Sequence, residues 1–217
     1  VRLAKEKNLT DCPGHRKLQT RPVPVVGGVC VFASFIFSLS FLMLFSDILN
    51  IEFSYPLELI ISISMVFLIG FFDDMVSMSP WIKFVFQFAN IAILYQCGYA
   101  IDTFNGLWGY YQLPMWLSLT LSLIAGVGLM NAINMIDGVN GLSSSVSIKF
   151  CFICACFLVV GGDWNNAVLA TLFLSALIPF FVANVFSYKY KMFIGDSGTL
   201  MLGSRAYILV CSILKMV

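Results

Sequence analysis

The sequence predicts an all-α, polytopic integral membrane helical bundle with about seven transmembrane helices. Three observations carry that expectation. Charged residues make up 11% of the 217 positions and hydrophobic ones 60%, whereas a water-soluble domain carries about 25% charged residues. The apolar residues gather in long charge-free runs, many near the roughly 20 residues that cross a bilayer core. The basic residues sit almost entirely between alternate runs, which is the pattern that orients a protein in a membrane.

In chain order the runs are Val25–Phe45, Leu57–Phe72, Trp81–Tyr99, Trp116–Met130, Ile148–Gly161, Ala167–Phe186 and Leu200–Val217. The connections are short and polar, so 1–217 reads as a single membrane domain with a polar arm at 1–24. Arg2, Lys5, Lys7, Arg16, Lys17 and Arg21 precede the first run; Lys83 follows the second, Lys149 the fourth, and Lys189 and Lys191 the sixth. Ten of the twelve basic residues thus fall on one side, which places that face in the cytoplasm. The other connections carry Asp47, Glu52, Asp102 and Asp163, with no Lys or Arg. Arg205 and Lys215 lie in or near the last run.

Six of the seven cysteines lie in or beside apolar runs, where a thiol behaves as a small hydrophobe. Neither a disulfide framework nor a zinc spacing is expected, Cys151, Cys154 and Cys156 included. The basic start leads into more polar sequence, so no secretory signal is read there. The chain opens at Val1 without an initiating Met and its last run stops at Val217, which points to a fragment of a longer protein.

Four segments on the cytoplasmic side hold the residues least like loop filler. They are Asp11–Lys17 with Pro24 and Gly27-Gly28; Phe72-Asp73-Asp74; Asn131–Gly141; and Phe193–Gly198. Asp73 and Asp74 end an apolar run, where adjacent carboxylates repel unless a cation or proton relieves them; water at the interface is the plainer alternative. Asn131–Gly141 holds three asparagines, Asp137 and two glycines where backbone is expected to leave a helix. Its amides suit a planar base edge, and its glycines allow close phosphate approach; an ordinary polar turn is the alternative. Gly195-Asp196-Ser197-Gly198 reads as a turn presenting one carboxylate, a plausible hard-cation ligand. With the other carboxylates on the same face it points to a Mg²⁺–diphosphate site. Lys83 either snorkels to the interface or meets a phosphate as a point charge. His15, in the basic arm, reads as solvated.

In this order the motifs resemble the polyprenyl-phosphate N-acetylhexosamine-1-phosphate transferases. The match runs from the Asp-x-Pro…Arg-Lys arm with Pro-Val-Val-Gly-Gly, through Asp-Asp, to Asn-Ala-Ile-Asn-Met-Ile-Asp-Gly-Val-Asn-Gly-Leu and Phe-Ile-Gly-Asp-Ser-Gly. Asn-Met-Ile-Asp-Gly looks more like the bacterial N-acetylglucosamine-type initiators than the peptidoglycan branch. The resemblance implies Mg²⁺, with Mn²⁺ as a substitute, held by Asp196 with help from Asn134. It places Phe193 on a uracil ring and Asn140 at its edge, Asp73 and Asp74 in the cleft with Asp73 a candidate base, Lys83 on phosphate, and Asp137 as a further acidic group. Asn131 joins Asn134, Asn140 and Phe193 as substrate-binding. The implied partners are a UDP-sugar, undecaprenyl phosphate and the lipid bilayer, with no nucleic acid and with room for a homodimer; the implied location is a bacterial inner membrane. Asn140 replaces an aspartate that many bacterial members carry, Gln19 stands where relatives often have His, and a late histidine-rich motif and a preceding span are expected to lie outside 1–217.

The implied reaction moves a sugar 1-phosphate from the nucleotide to the lipid phosphate and releases UMP. A transporter or channel is the competing class. It would place polar residues near span midpoints, whereas the sequence gathers them at one end of the spans; an inactive, membrane-anchoring fragment of the enzyme is the third reading.

Overall fold

A computed structural model describes residues 10–11, 23–46, 57–106, 111–187 and 190–216. His15, Gln19, Lys189 and the basic residues of the arm lie outside the described residues.

Among the described residues the chain forms seven helices: α1 Gly27–Phe45, α2 Leu57–Val76, α3 Pro80–Gln96, α4 Met115–Ile136, α5 Leu142–Val160, α6 Trp164–Val185 and α7 Gly195–Leu214. All but α3 are long and apolar enough to cross a membrane. At 17 residues, α3 is about 25 Å long, short of the roughly 30 Å hydrocarbon core. A two-residue antiparallel pair, β1 Thr10–Asp11 with β2 Val23–Pro24, precedes the helices.

Several helices run further than the apolar runs. Asp73 and Asp74, expected at the end of a run, form part of α2. Asn131 and Asn134 are helical in α4, so the expected loop begins only at Asp137. Asp196 lies in the first turn of α7 and not in a turn ahead of it. Helix α5 starts at Leu142, six residues before the run that holds exposed Lys149. The first three extensions share a reason. Hydropathy marks where a segment can face lipid, whereas a helix continues as long as its polar side chains find partners inside the bundle.

Helix ends are satisfied locally or by neighbours. Pro80 opens α3, where a missing N–H costs nothing. The Asp163 side chain accepts from Asn166 N at the start of α6, as an N-cap should. The first-turn N–H groups of α1, from Gly27 and Gly28, donate to Phe193 O and Ile194 O, each at 2.8 Å. Phe193 N donates back to Pro24 O, also at 2.8 Å. The chain entering α1 and the chain entering α7 are therefore laced together at one end of the bundle.

Helix α7 is the hub. It packs on all six other helices, and fifteen of its residues are buried. Gly70 of α2 permits one of these approaches: a Cβ there would lie 2.4 Å from Asp196 O and 2.5 Å from Ser197 Cα, so a larger residue would push the two helices apart.

Polar residues also sit deep in the bundle, away from the expected cytoplasmic end. Ser62 Oγ donates to Asn90 Oδ1 at 2.6 Å, and Asn90 Nδ2 donates to Ser204 Oγ at 2.9 Å, joining α2, α3 and α7. Interhelical bonds of this kind substitute for the hydrophobic drive that lipid removes.

Candidate active site

Four helices deliver one charged cluster at the end of the bundle where α7 begins. The end of α2 brings Asp73, the start of α3 brings Lys83, the end of α4 brings Asn134, and the first turn of α7 brings Asp196. Lys83 Nζ lies 2.5 Å from Asp73 Oδ2 and 2.5 Å from Asp196 Oδ2. The remaining oxygens are held by neutral donors. Met78 N donates to Asp73 Oδ1 at 2.6 Å, and Asn134 Nδ2 donates to Asp196 Oδ1 at 2.8 Å. Asn134 Nδ2 also reaches Thr199 Oγ1 at 2.9 Å.

Asp74 faces a different task from its neighbour. The backbone N–H groups of Asp196 and Ser197 donate to its two oxygens at 2.8 and 3.1 Å. A carboxylate from α2 thus caps α7, where orphaned N–H groups and the positive end of the helix dipole favour an anion. Gly195 makes this reach possible. Its φ is +71°, and a Cβ would lie 2.6 Å from Asp74 Oδ2. The first turn of α7, and with it Asp196, is held in place from α2.

One turn deeper, Asn131 Nδ2 donates to Gln87 Oε1 at 2.7 Å and to Val127 O at 2.8 Å. Gln87 lies one turn after Lys83 on α3 and is buried. A cavity of about 130 Å³ opens beside these groups, lined in part by Lys83, Phe84, Gln87, Asn131 and Asn134.

Asp137 caps the end of α4 and accepts a short hydrogen bond from the Ser143 hydroxyl. Burial pushes its carboxyl up to about 7, with the negative charges of Asp196 and Asp74 acting in the same direction and the Ser143 bond opposing them. It is thus poised to hold or release a proton near neutrality. Asn140 is exposed in the turn between α4 and α5, and Phe193 is half-buried ahead of α7. Neither is joined to the carboxylate cluster by a hydrogen bond among the described residues.

The donor set suits a hard divalent cation. Two carboxylate oxygens already converge on one positive group, and Mg²⁺ usually takes one or two carboxylates and completes its shell with water and substrate phosphates. Among the described residues no group of three or more His, Cys, Asp or Glu gathers that could hold a metal ion by itself.

Reading the sequence missed Gln87, Thr199 and Ser143. Gln87 follows Lys83 by four positions and Thr199 follows Asp196 by three, which is helical spacing onto one face. For Gln87 the signal lay within a run already expected to be helical, whereas for Thr199 it became usable only once Gly195–Leu214 was known to be a helix.

The chain is similar to known proteins over most of its length. The chain is 25% identical over 210 residues to a "Probable undecaprenyl-phosphate N-acetylglucosaminyl 1-phosphate transferase" of Bacillus subtilis, covering 96% of this chain and 56% of that protein. It is 28% identical over 202 residues to an undecaprenyl-phosphate alpha-N-acetylglucosaminyl 1-phosphate transferase of Yersinia pestis, covering 91% and 53%. The protein of that name from Salmonella typhi is 29% identical over 209 residues, covering 90% and 52%. The chain spans about half the length of the curated relatives it matches. The model of glycosyl transferase family 4 matches residues 56–214, a stretch that contains every member of the carboxylate–lysine–asparagine cluster; the chain belongs to that family.

Proposed function

We propose that this chain carries the phosphotransfer centre of a membrane enzyme. The enzyme would transfer N-acetylglucosamine 1-phosphate, or a related N-acetylhexosamine 1-phosphate, from a UDP-sugar to undecaprenyl phosphate and release UMP. The observation that carries this reading is the meeting of Asp73, Lys83, Asn134 and Asp196 from four helices at one end of an apolar bundle. The relatives named for this transfer support it. The site is assigned to the cytoplasmic face of a bacterial inner membrane, because the basic residues crowd that side of the sequence and a soluble nucleotide must meet a lipid-bound phosphate there.

In the proposed step, an oxygen of the lipid monophosphate attacks the β-phosphorus of the UDP-sugar. The bond from that phosphorus to the oxygen bridging it to the α-phosphate breaks, and its electrons leave on UMP. Both reactants are anions, so the protein's task is to position them and offset charge. Mg²⁺, or Mn²⁺ in its place, would supply Lewis-acid polarisation of the diphosphate when held at Asp73 and Asp196. Asn134 orients the Asp196 carboxylate, Lys83 meets phosphate oxygen, and Asp137 holds a proton near the reacting groups. Asn140 and Phe193 are assigned to the uracil edge and face, and Asn131 to the wall of the adjoining cavity.

The test is direct. Detergent-solubilised protein incubated with Mg²⁺, UDP-N-acetylglucosamine and undecaprenyl phosphate is expected to release UMP and form a lipid-linked sugar. UMP release no faster than in a protein-free blank would overturn the reading. A panel of UDP-N-acetylhexosamines in the same assay identifies the sugar.

A further inference from the structure

We infer that Lys83 is a built-in stand-in for the divalent cation. It is held between Asp73 and Asp196 until a cation displaces it towards the phosphates. The inference rests on the phosphotransfer reading above and adds an order of events to it.

Three observations carry it. First, the two oxygens a cation would take are the two that Lys83 occupies: Nζ is 2.5 Å from Asp73 Oδ2 and 2.5 Å from Asp196 Oδ2. The opposite oxygens are engaged by Met78 N and Asn134 Nδ2. A cation bridging the pair through those two oxygens competes directly with the lysine. Second, the lysine has somewhere to go. Its side chain is 24% exposed, it stands near the start of α3, and the cavity of about 130 Å³ beside Gln87 and Asn131 lies on its flank. A four-carbon stem with rotatable donors can swing there without disturbing the helix. Third, the charge changes sign. Two carboxylates and one ammonium sum to −1; with a divalent cation on the carboxylates and the ammonium released, the same groups sum to +1. Asp74 stays bound to the start of α7 throughout.

Two consequences follow. Without a cation, Lys83 keeps two like charges from repelling across the cleft, so the site assembles before the cation arrives. After the cation enters, the cleft carries two fewer net negative charges and repels a phosphate less, and the freed ammonium is available to receive it.

The experiment measures cation binding and lysine reactivity together. Mn²⁺ binding to the solubilised protein is followed by electron paramagnetic resonance, and parallel samples are treated with an amine-modifying reagent and read at Lys83 by peptide mass spectrometry. The expected result is that Lys83 is modified several-fold faster at saturating Mn²⁺ than without it, while Lys149 and Lys191 are unchanged. In a Lys83→Met variant, Mn²⁺ is expected to bind several-fold more tightly in the absence of phosphate, because the competitor is gone. Mn²⁺ binding with Lys83 reactivity unchanged or reduced would overturn the displacement and leave the phosphotransfer reading intact. No Mn²⁺ binding either with or without UDP-N-acetylglucosamine would overturn both.

Discussion

Helix α7 carries polar groups at two levels, and they are used in opposite ways. At its first turn, Asp196 is paired with a lysine, oriented by an amide and partly open to solvent. Halfway along, Ser204 and Arg205 are buried. Ser204 completes the Ser62–Asn90 chain. Arg205 donates from Nη2 to Asn166 O at 3.0 Å and lies over the Phe173 ring, while its Nε and Nη1 find no partner among the described residues. The upper level is charged, paired and accessible, which chemistry requires. The lower level is sealed, and its polar groups hold helices together. Polarity in a membrane bundle therefore does not by itself mark a site; polarity with access and convergent charge does.

The sharpest way to break this comparison is at Asp196. Asp196→Asn keeps the shape and the Asn134 contact but removes the charge, and UMP release should fall by at least about 10²-fold with the fold intact by circular dichroism. Near-normal release would remove Asp196 from the reacting centre. Next comes Asp74, whose work on α7 predicts a mixed outcome. Asp74→Ala should cost about 1–2 kcal/mol of stability, the range for a lost helix cap, and should lower activity as Asp196 loses its support. Thermal unfolding measured beside UMP release separates the two effects. A variant that loses activity at unchanged stability would give Asp74 a chemical rather than a capping role.

The deeper level should respond in stability alone. Asn90→Ala removes the hydrogen-bond partner of both Ser62 and Ser204 and should cost up to about 1.7 kcal/mol, the maximum for interhelical bonds in membranes, whose average is about 0.6, with Mn²⁺ affinity unchanged. Arg205→Met removes a buried charge that forms no salt bridge among the described residues, so the thermal midpoint should not fall, and a loss of about 3 kcal/mol or more would reveal a compensating partner. The last effect concerns pH. The folded carboxyl of Asp137 sits at about 7 against an ordinary 3.8, so between those values the folded chain holds a proton that the unfolded chain has released. Stability from this group is full below about pH 3.8 and is lost as pH rises towards 7. Asp137→Asn should flatten the thermal midpoint across that window, and an unchanged slope would mean the carboxyl ionises normally.

Much of this was legible in the residues before any coordinates. The apolar runs and the one-sided lysines and arginines mark a membrane bundle with one polar end, because lipid tolerates no unsatisfied backbone and few charges. Asp73 stood out as half of a carboxylate pair at a membrane boundary, Lys83 as a lone charge opening an apolar run, Asp196 as a carboxylate between glycines, and Asn134 as one of three asparagines in a single segment. The residues could not say which carboxylate does what. Asp73 and Asp74 are neighbours in the chain, yet they sit about 100° apart around a helix, and one faces Lys83 while the other faces the start of α7. That division depends on Gly70 letting α2 close on α7 and on Gly195 leaving room for a carboxylate. Both are contacts between segments more than a hundred residues apart, so composition and spacing were sufficient for the bundle and its charged end, while the pairing of lysine with aspartate arose only from how the helices pack.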